Sequence, residues 1–189
     1  MTKKFPLKNR SSKDDYYLTI AKQIAMRSAC YRNRMGSVIV KEDQIIATGY
    51  IGAPRKTKDC FERQNCLRTT LGMPHGQRYE ICRSVHSEQN AIINAARGAA
   101  STLGSRIYIW GEDTTTGKLI DAFPCFICKR MIINAGIESV IIMTREGVKA
   151  FRVEDWVKEW QKKDIIDDRH QYGNGRLAVT LKHLKKSKT

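Results

Sequence analysis

Apolar residues at Tyr17, Ile20, Ala21 and Ile24, with Lys22 and Gln23 between them, recur at the spacing of one helix face. The pattern predicts a helix over 14–29, with Ser12 as its N-cap. Two β-branched runs, 37–40 and 45–48, then flank the polar turn Lys41-Glu42-Asp43-Gln44, which predicts a hairpin closed off by Gly49, Gly52 and Pro54. From 55 to 85 the periodicity fades and the chain becomes polar and rich in Arg and Cys, so a long insertion loop containing a short helix is expected there. Regular patterning resumes with a helix over 87–98, packed through Ala91, Ile92, Ala95 and Ala96, and a strand over 106–110. A helix over 125–135 closed by Gly136, a strand over 139–143 and a helix over 154–161 follow. A hairpin followed by strand and helix alternation predicts an α/β sandwich around a mixed sheet.

At 189 residues and 41% hydrophobic content the chain can bury one sizeable core. It divides into a basic segment 1–13, a single domain over 14–180 and a second basic segment 181–189. No apolar stretch near the start suits a signal peptide, and nowhere do about 18 uncharged apolar residues run together. The expectation is a soluble, cytoplasmic protein with no membrane partner. In such a reducing compartment six cysteines are read as metal ligands before disulfides. The formal charge of +15 invites a nucleic-acid partner, but nine of the positive charges lie in the two terminal segments, leaving an excess of six on the body. That excess suits a phosphate-bearing small substrate as well as a polynucleotide.

Three features stand in order along the chain: His86-Ser87-Glu88 at the start of one predicted helix, Pro124-Cys125 at the start of another, and Cys128 one turn on. Residues three apart share a helix face, so the two thiols of Cys-x-x-Cys can converge on one ion. A helix N-terminus favours thiolates, and proline suits its entry because the missing N–H would have little to bond. His86, Cys125 and Cys128 make three zinc ligands, leaving the fourth tetrahedral position for a water of lowered pKa. Glu88 is too close in sequence to His86 to bind the same ion easily, yet it can reach that water as the acid and base of a hydrolysis. His-x-Glu…Pro-Cys-x-x-Cys is the signature of zinc nucleobase deaminases. The bland alternative is a structural zinc, or buried thiols with an incidental Glu.

Around these motifs the sequence resembles the deoxycytidylate (dCMP) deaminase family, from about Tyr16 to Met143. The resemblance includes Arg27-Ser28-Ala29-Cys30, Thr48-Gly49-Tyr50-Ile51-Gly52-Ala53-Pro54-Arg55, Cys82-Arg83, His86 to Ile92, and Ile132-Ile133-Asn134-Ala135-Gly136. It implies a three-layer α/β/α cytidine-deaminase-like fold with a sheet of about five strands. It also implies hydrolysis of the cytosine amine of a nucleotide, most simply dCMP to dUMP, by a homo-oligomer that is usually a hexamer. The family has Asn where this chain has Ile51, a position suited to the sugar, and Ala where it has Ser87. Here, too, an extended segment over 111–123 replaces the family's short approach to Pro124.

Cys30, Cys60, Cys66 and Cys82 match positions where family members carry cysteine, and in some members such residues build a second, structural zinc. A 30-residue polar loop buries too little apolar area to order itself, and four sulfurs closing on an ion would supply the deficit. Buried free thiols are the alternative, and His75 could replace one ligand. Arg55, Arg83, Arg130 and Arg145 are candidates for a substrate phosphate, Arg55 first among them, beside Ile51 and Ser87 as substrate-pocket residues. Trp110, Trp156 and Trp160 could stack bases, although the last two, at i and i+4, suit a core. The competing readings are a deaminase acting on a base in single-stranded DNA or RNA, and a non-catalytic binding protein in which zinc only holds the fold.

Overall fold

A computed structural model describes residues 10–74 and 78–163. His75, the C-terminal part of the expected domain, the 181–189 segment and most of the 1–13 segment lie outside the described residues. The chain runs α1 (Lys13–Ala25), β1 (Asn33–Lys41), β2 (Gln44–Tyr50), α2 (Leu67–Thr70), a 3₁₀ turn (Tyr79–Ile81), α3 (Ser87–Arg97), β3 (Arg106–Asp113), α4 (Phe126–Asn134), β4 (Ser139–Thr144), β5 (Gly147–Arg152) and α5 (Val153–Lys162).

The five strands form one mixed sheet in the order β2-β1-β3-β4-β5. Among the described strands only β3 and β4 run parallel, and α4 lies between them in the chain. Glu42 and Asp43, with φ of 49° and 62°, make the two-residue left-handed turn that suits the twist of a tight hairpin. Strand alternation separates two cores. Ile39, Ile107, Ile109, Val140 and Ile142 face Ala91 and Ala95 of α3, Ile132 of α4 and Trp156 of α5. Val38, Val40, Tyr108, Trp110 and Ile141 face Tyr17, Leu18, Ala21 and Ala25 of α1. The sheet therefore sits between helices on both faces, the three layers expected. Trp110 and Trp156 are core residues, and Trp160 packs edge-on against Phe126.

Four expectations are corrected. The first helix stops at Ala25 rather than continuing to 29: the next N–H groups close tight i−3 bonds, and Ser28 Oγ turns away to bond both the N–H and the carbonyl of Met35. On α3, Ala96 is exposed, and the packed face runs through Ser87, Glu88, Ala91 and Ala95. Strand β5 falls where no element was expected; it is a mostly exposed edge strand carrying little apolar signal. The strand expected over 106–110 runs further, into the lengthened 111–123 segment. β3 continues to Asp113, whose carboxylate accepts from the N–H groups of Thr115 and Thr116, and the chain folds back so that Ile120 N–H donates to the Gly111 carbonyl.

No described helix is long and apolar enough to cross a membrane.

Candidate active site

The site is built from two helix starts. His86 is the N-cap residue of α3, its N–H donating to the Gln89 side chain at 3.0 Å, and Cys125 is the N-cap residue of α4. Cys128 lies one turn into α4 and has no exposed surface. His86 Nδ1 is 3.4 Å from both sulfurs, and the sulfurs are 3.6 Å apart. Zinc bonds of about 2.0–2.3 Å at tetrahedral angles place donors roughly 3.5–3.8 Å apart, so this one-nitrogen, two-sulfur set fits the ion. Among the described residues it is the one group that gathers three potential ligands within 4.8 Å.

The electrostatics are those of a site made for thiolates. A hydrogen bond from the Cys128 thiol, with the His86 ring beside it, pulls Cys125 down to about 4 against the cost of burial. Burial pushes Cys128 well up, and the proton stays there when no metal displaces it. Burial opposes a charged His86 ring, yet its contact with Cys125 raises it overall.

Glu88 is nearly inaccessible at 2% exposure, and burial pushes its carboxyl above the usual carboxylate range. A chain of hydroxyls holds it: Ser37 Oγ donates to Ser87 Oγ at 2.8 Å, and Ser87 Oγ donates to Glu88 Oε2 at 2.9 Å. Ser87 therefore supports the carboxylate and is absent from the cavity lining.

His86, Glu88 and Cys125 line a cavity of about 840 Å³, its open mouth included. Its other walls include Ile51 from the end of β2, Ile120, Asp121 and Phe123 from the folded-back segment, Tyr79, and both Arg32 and Arg68. Tyr79 meets the His86 ring edge-on at 4.9 Å, and burial raises its phenol to about 12. The four arginines expected near a phosphate lie elsewhere. Arg55 is exposed and donates to Asn94 at 2.8 Å, Arg83 holds Asn65, Arg145 pairs with Asp121 at 2.6 Å, and Arg130 lies on the outer face of α4. Arg32 and Arg68 were not singled out from the sequence. Their usable signal is adjacency, since each lies two residues past a cysteine that shares the cavity wall.

Cys30, Cys60, Cys66 and Cys82 all line this cavity as free thiols. Burial raises Cys30 and Cys60, whereas hydrogen bonds around Thr69 outweigh burial and lower Cys66. They share a wall without three of them coming within 4.8 Å of one another.

The sequence matches known proteins over the same region. Residues 11–144 fit the family described as the cytidine and deoxycytidylate deaminase zinc-binding region. The deoxycytidylate deaminase of Mycobacterium phage D29 is 33% identical over 138 residues, 70% of this chain and 95% of the phage protein. That of Schizosaccharomyces pombe is 32% identical over 139 residues, 74% of this chain, which spans only 39% of the yeast protein's length. The dCMP deaminase of cyanophage S-TIM5, solved in complex with dCMP and dUMP, shares the fold with a TM-score of 0.54 at 22% identity, covering 81% of this chain and 94% of the phage chain. Carrying that family's motifs at two facing helix starts on a cytidine-deaminase fold, this chain belongs to the zinc-binding cytidine and deoxycytidylate deaminase family.

Proposed function

We propose that this chain hydrolyses the exocyclic amine of a cytosine nucleotide, with dCMP as the first substrate to test, releasing ammonia and the uracil nucleotide. The observation that carries the reading is a trio of potential ligands spaced for zinc, two of which, His86 and Cys125, line the same cavity as the buried Glu88 carboxyl, which Ser87 holds by a hydrogen bond. His86, Cys125 and Cys128 would hold the ion, which when bound supplies Lewis acidity at neutral pH. Glu88 takes one proton from the attacking water and gives it to the ring nitrogen, then takes the second from the hydroxyl now on the ring carbon and gives it to the departing amine as the carbonyl forms, so water is consumed and ammonia released. Its raised carboxyl suits both halves of that exchange. Tyr79, Ile51 and Phe123 exclude bulk water around the base.

Two further features belong to this reading. A homo-oligomer is supported by the outer face of α3 and α4, where Ile92, Ile127 and Met131 surround a shallow depression and Ile93 is exposed. A second zinc is supported by the four thiols on one wall, which would have to draw closer around an ion.

The test is ammonia release from zinc-loaded protein given cytosine, adenine and guanine nucleosides and nucleotides, with Glu88→Gln as the control. The expected result is the largest signal from dCMP, lost by about 10²–10⁴-fold in the variant while zinc is retained. Silence on every monomer, with turnover of a single-stranded oligonucleotide, would transfer the chemistry to a polynucleotide. Full turnover by Glu88→Gln would end the enzymatic reading.

A further inference from the structure

The segment between β3 and α4 builds one wall of the cavity, and its path is fixed from several sides. Ile120 N–H donates to the Gly111 carbonyl at 3.1 Å, and a Cβ on Gly111 would stand 3.2 Å from Ile120 Cγ1, so the returning chain lies directly on β3. Thr114 ties the turn to the stretch before β1, its N–H donating to the Arg32 carbonyl at 3.1 Å and its Oγ1 to the Cys30 carbonyl at 2.9 Å. Ala122 N–H donates to the Met143 carbonyl of β4 at 3.3 Å, and the rings of Phe123 and Phe151 meet edge-on at 5.6 Å. Ile120, Asp121 and Phe123 face the cavity, and the ligand Cys125 follows two positions later. Asp121 stands in the middle of this run with both carboxylate oxygens engaged. Oδ1 accepts from the Arg145 backbone N–H at 2.9 Å, and Oδ2 accepts from Arg145 Nε at 3.2 Å and Nη2 at 2.6 Å. Arg145 sits exposed in the turn between β4 and β5 and is absent from the cavity lining. Its hydrogen bonds hold the Asp121 carboxyl below the usual carboxylate range, so the grip persists at neutral pH.

We infer that Asp121 is a positioning residue for the substrate: pinned to the β4–β5 turn by Arg145, it fixes where Ile120 and Phe123 stand in the cavity wall, a role that rests on the nucleotide reading given above. A carboxylate held by a guanidinium and by a backbone N–H of the same residue has one favoured placement. The residues on either side of it are therefore ordered before a ligand arrives, and less freedom is lost on binding. An exposed ion pair adds little to global stability, and the backbone ties of the segment remain without it. Loss of the pin is accordingly a local loosening of the wall, not an unfolding. Glu88 is carried by α3 and supported through Ser87 and Ser37, outside the reach of the pin. KM, and not kcat, is the constant that carries the effect.

The test compares zinc-loaded wild type, Asp121→Asn, Arg145→Gln, the double variant and Arg145→Lys by amide hydrogen exchange over 120–123 and by steady-state turnover of dCMP. Each of the first two changes is expected to speed exchange at the Ala122 N–H and to raise KM by about three- to tenfold, with zinc content and the thermal transition near wild-type values. The double variant should be no worse than either single one, since both remove the same pin, and Arg145→Lys should recover part of the loss. A rise in KM for Asp121→Asn alone would show the carboxylate meeting the substrate itself, which overturns the positioning role. A rise for Arg145→Gln alone, relieved in the double variant, would show the arginine merely cancelling a charge, and overturns it equally. Wild-type turnover of dCMP with exchange and KM unchanged in every variant removes the inference and leaves the deaminase reading standing. Wild type inert toward dCMP removes that reading and the substrate role of Asp121 with it, whatever exchange shows of the pin.

Discussion

At the scale of single residues, the hydroxyl chain from Ser37 through Ser87 to Glu88 is the feature with the clearest energetic consequence. Both hydroxyls are fully buried, so removing one leaves the other without its partner. Ser87→Ala should therefore cost about 1–2 kcal/mol of stability, the toll of an orphaned buried hydroxyl, while Ser37→Ala with Ser87→Ala together should cost less than the two single changes summed. Urea midpoints for the two single variants and the double variant decide it; strict additivity would mean that the chain carries no coupling. The trio of His86, Cys125 and Cys128 that the fold brings together, with Glu88 beside it, stood out in the sequence because metal chemistry demands particular residue types at particular spacings. The support of Glu88 was not, since Ser37 and Ser87 are fifty positions apart and meet only when β1 packs under α3.

At the scale of elements, the site depends on how closely α3 lies on β2. A Cβ built on Gly49 would stand 2.2 Å from the Ser87 carbonyl oxygen and 2.3 Å from the Ala91 nitrogen, both backbone atoms of the helix that presents Glu88. Asn90 and Asn94 complete the join by donating to the carbonyls of Tyr50 and Thr48 at 2.8 and 2.7 Å. Gly49→Ala must push the helix away, at a cost of about 3 kcal/mol or more, and turnover should fall with stability because Glu88 moves too. Gly72→Ala is the internal comparison: its φ is +65° but nothing lies within 4 Å, so a strain cost of only about 1 kcal/mol and no loss of turnover are expected. Thermal melts and dCMP turnover of the two variants side by side give the check, and equal effects would refute the close-approach argument. Helices and central strands were readable from their periodicity, whereas β5 was not: as an edge strand its stability comes from antiparallel hydrogen bonds to β4, which leave no pattern in side-chain polarity.

At the scale of the whole molecule, the sheet is covered by two unequal layers, and the metal ligands lie in the more elaborate one. The three donors join the start of α3 to the start of α4, elements that follow different strands and have a strand between them in the chain. An ion held there is a cross-link between distant segments as well as a reagent, and anything that binds the folded state alone stabilises it by mass action. With free zinc at a hundredfold its dissociation constant the gain is about 2.7 kcal/mol, which for a chain of this size corresponds to roughly 5–10 °C in Tm. Chelation should lower the thermal midpoint by that margin and abolish turnover, and adding back zinc should restore both. Cys128→Ser should lose the share of the zinc-dependent rise in melting temperature that this site supplies, because the fully buried ligand has been removed. The long insertion adds a second arm to this experiment. If Cys30, Cys60, Cys66 and Cys82 close on their own ion, metal analysis of Cys128→Ser will find one equivalent per chain remaining, and Cys60→Ser will lose it while keeping the catalytic one. Zero equivalents in Cys128→Ser would instead mean that the four thiols line the pocket as free groups, and that the loop is held by contacts such as those Arg32 makes with Thr69 and Met73.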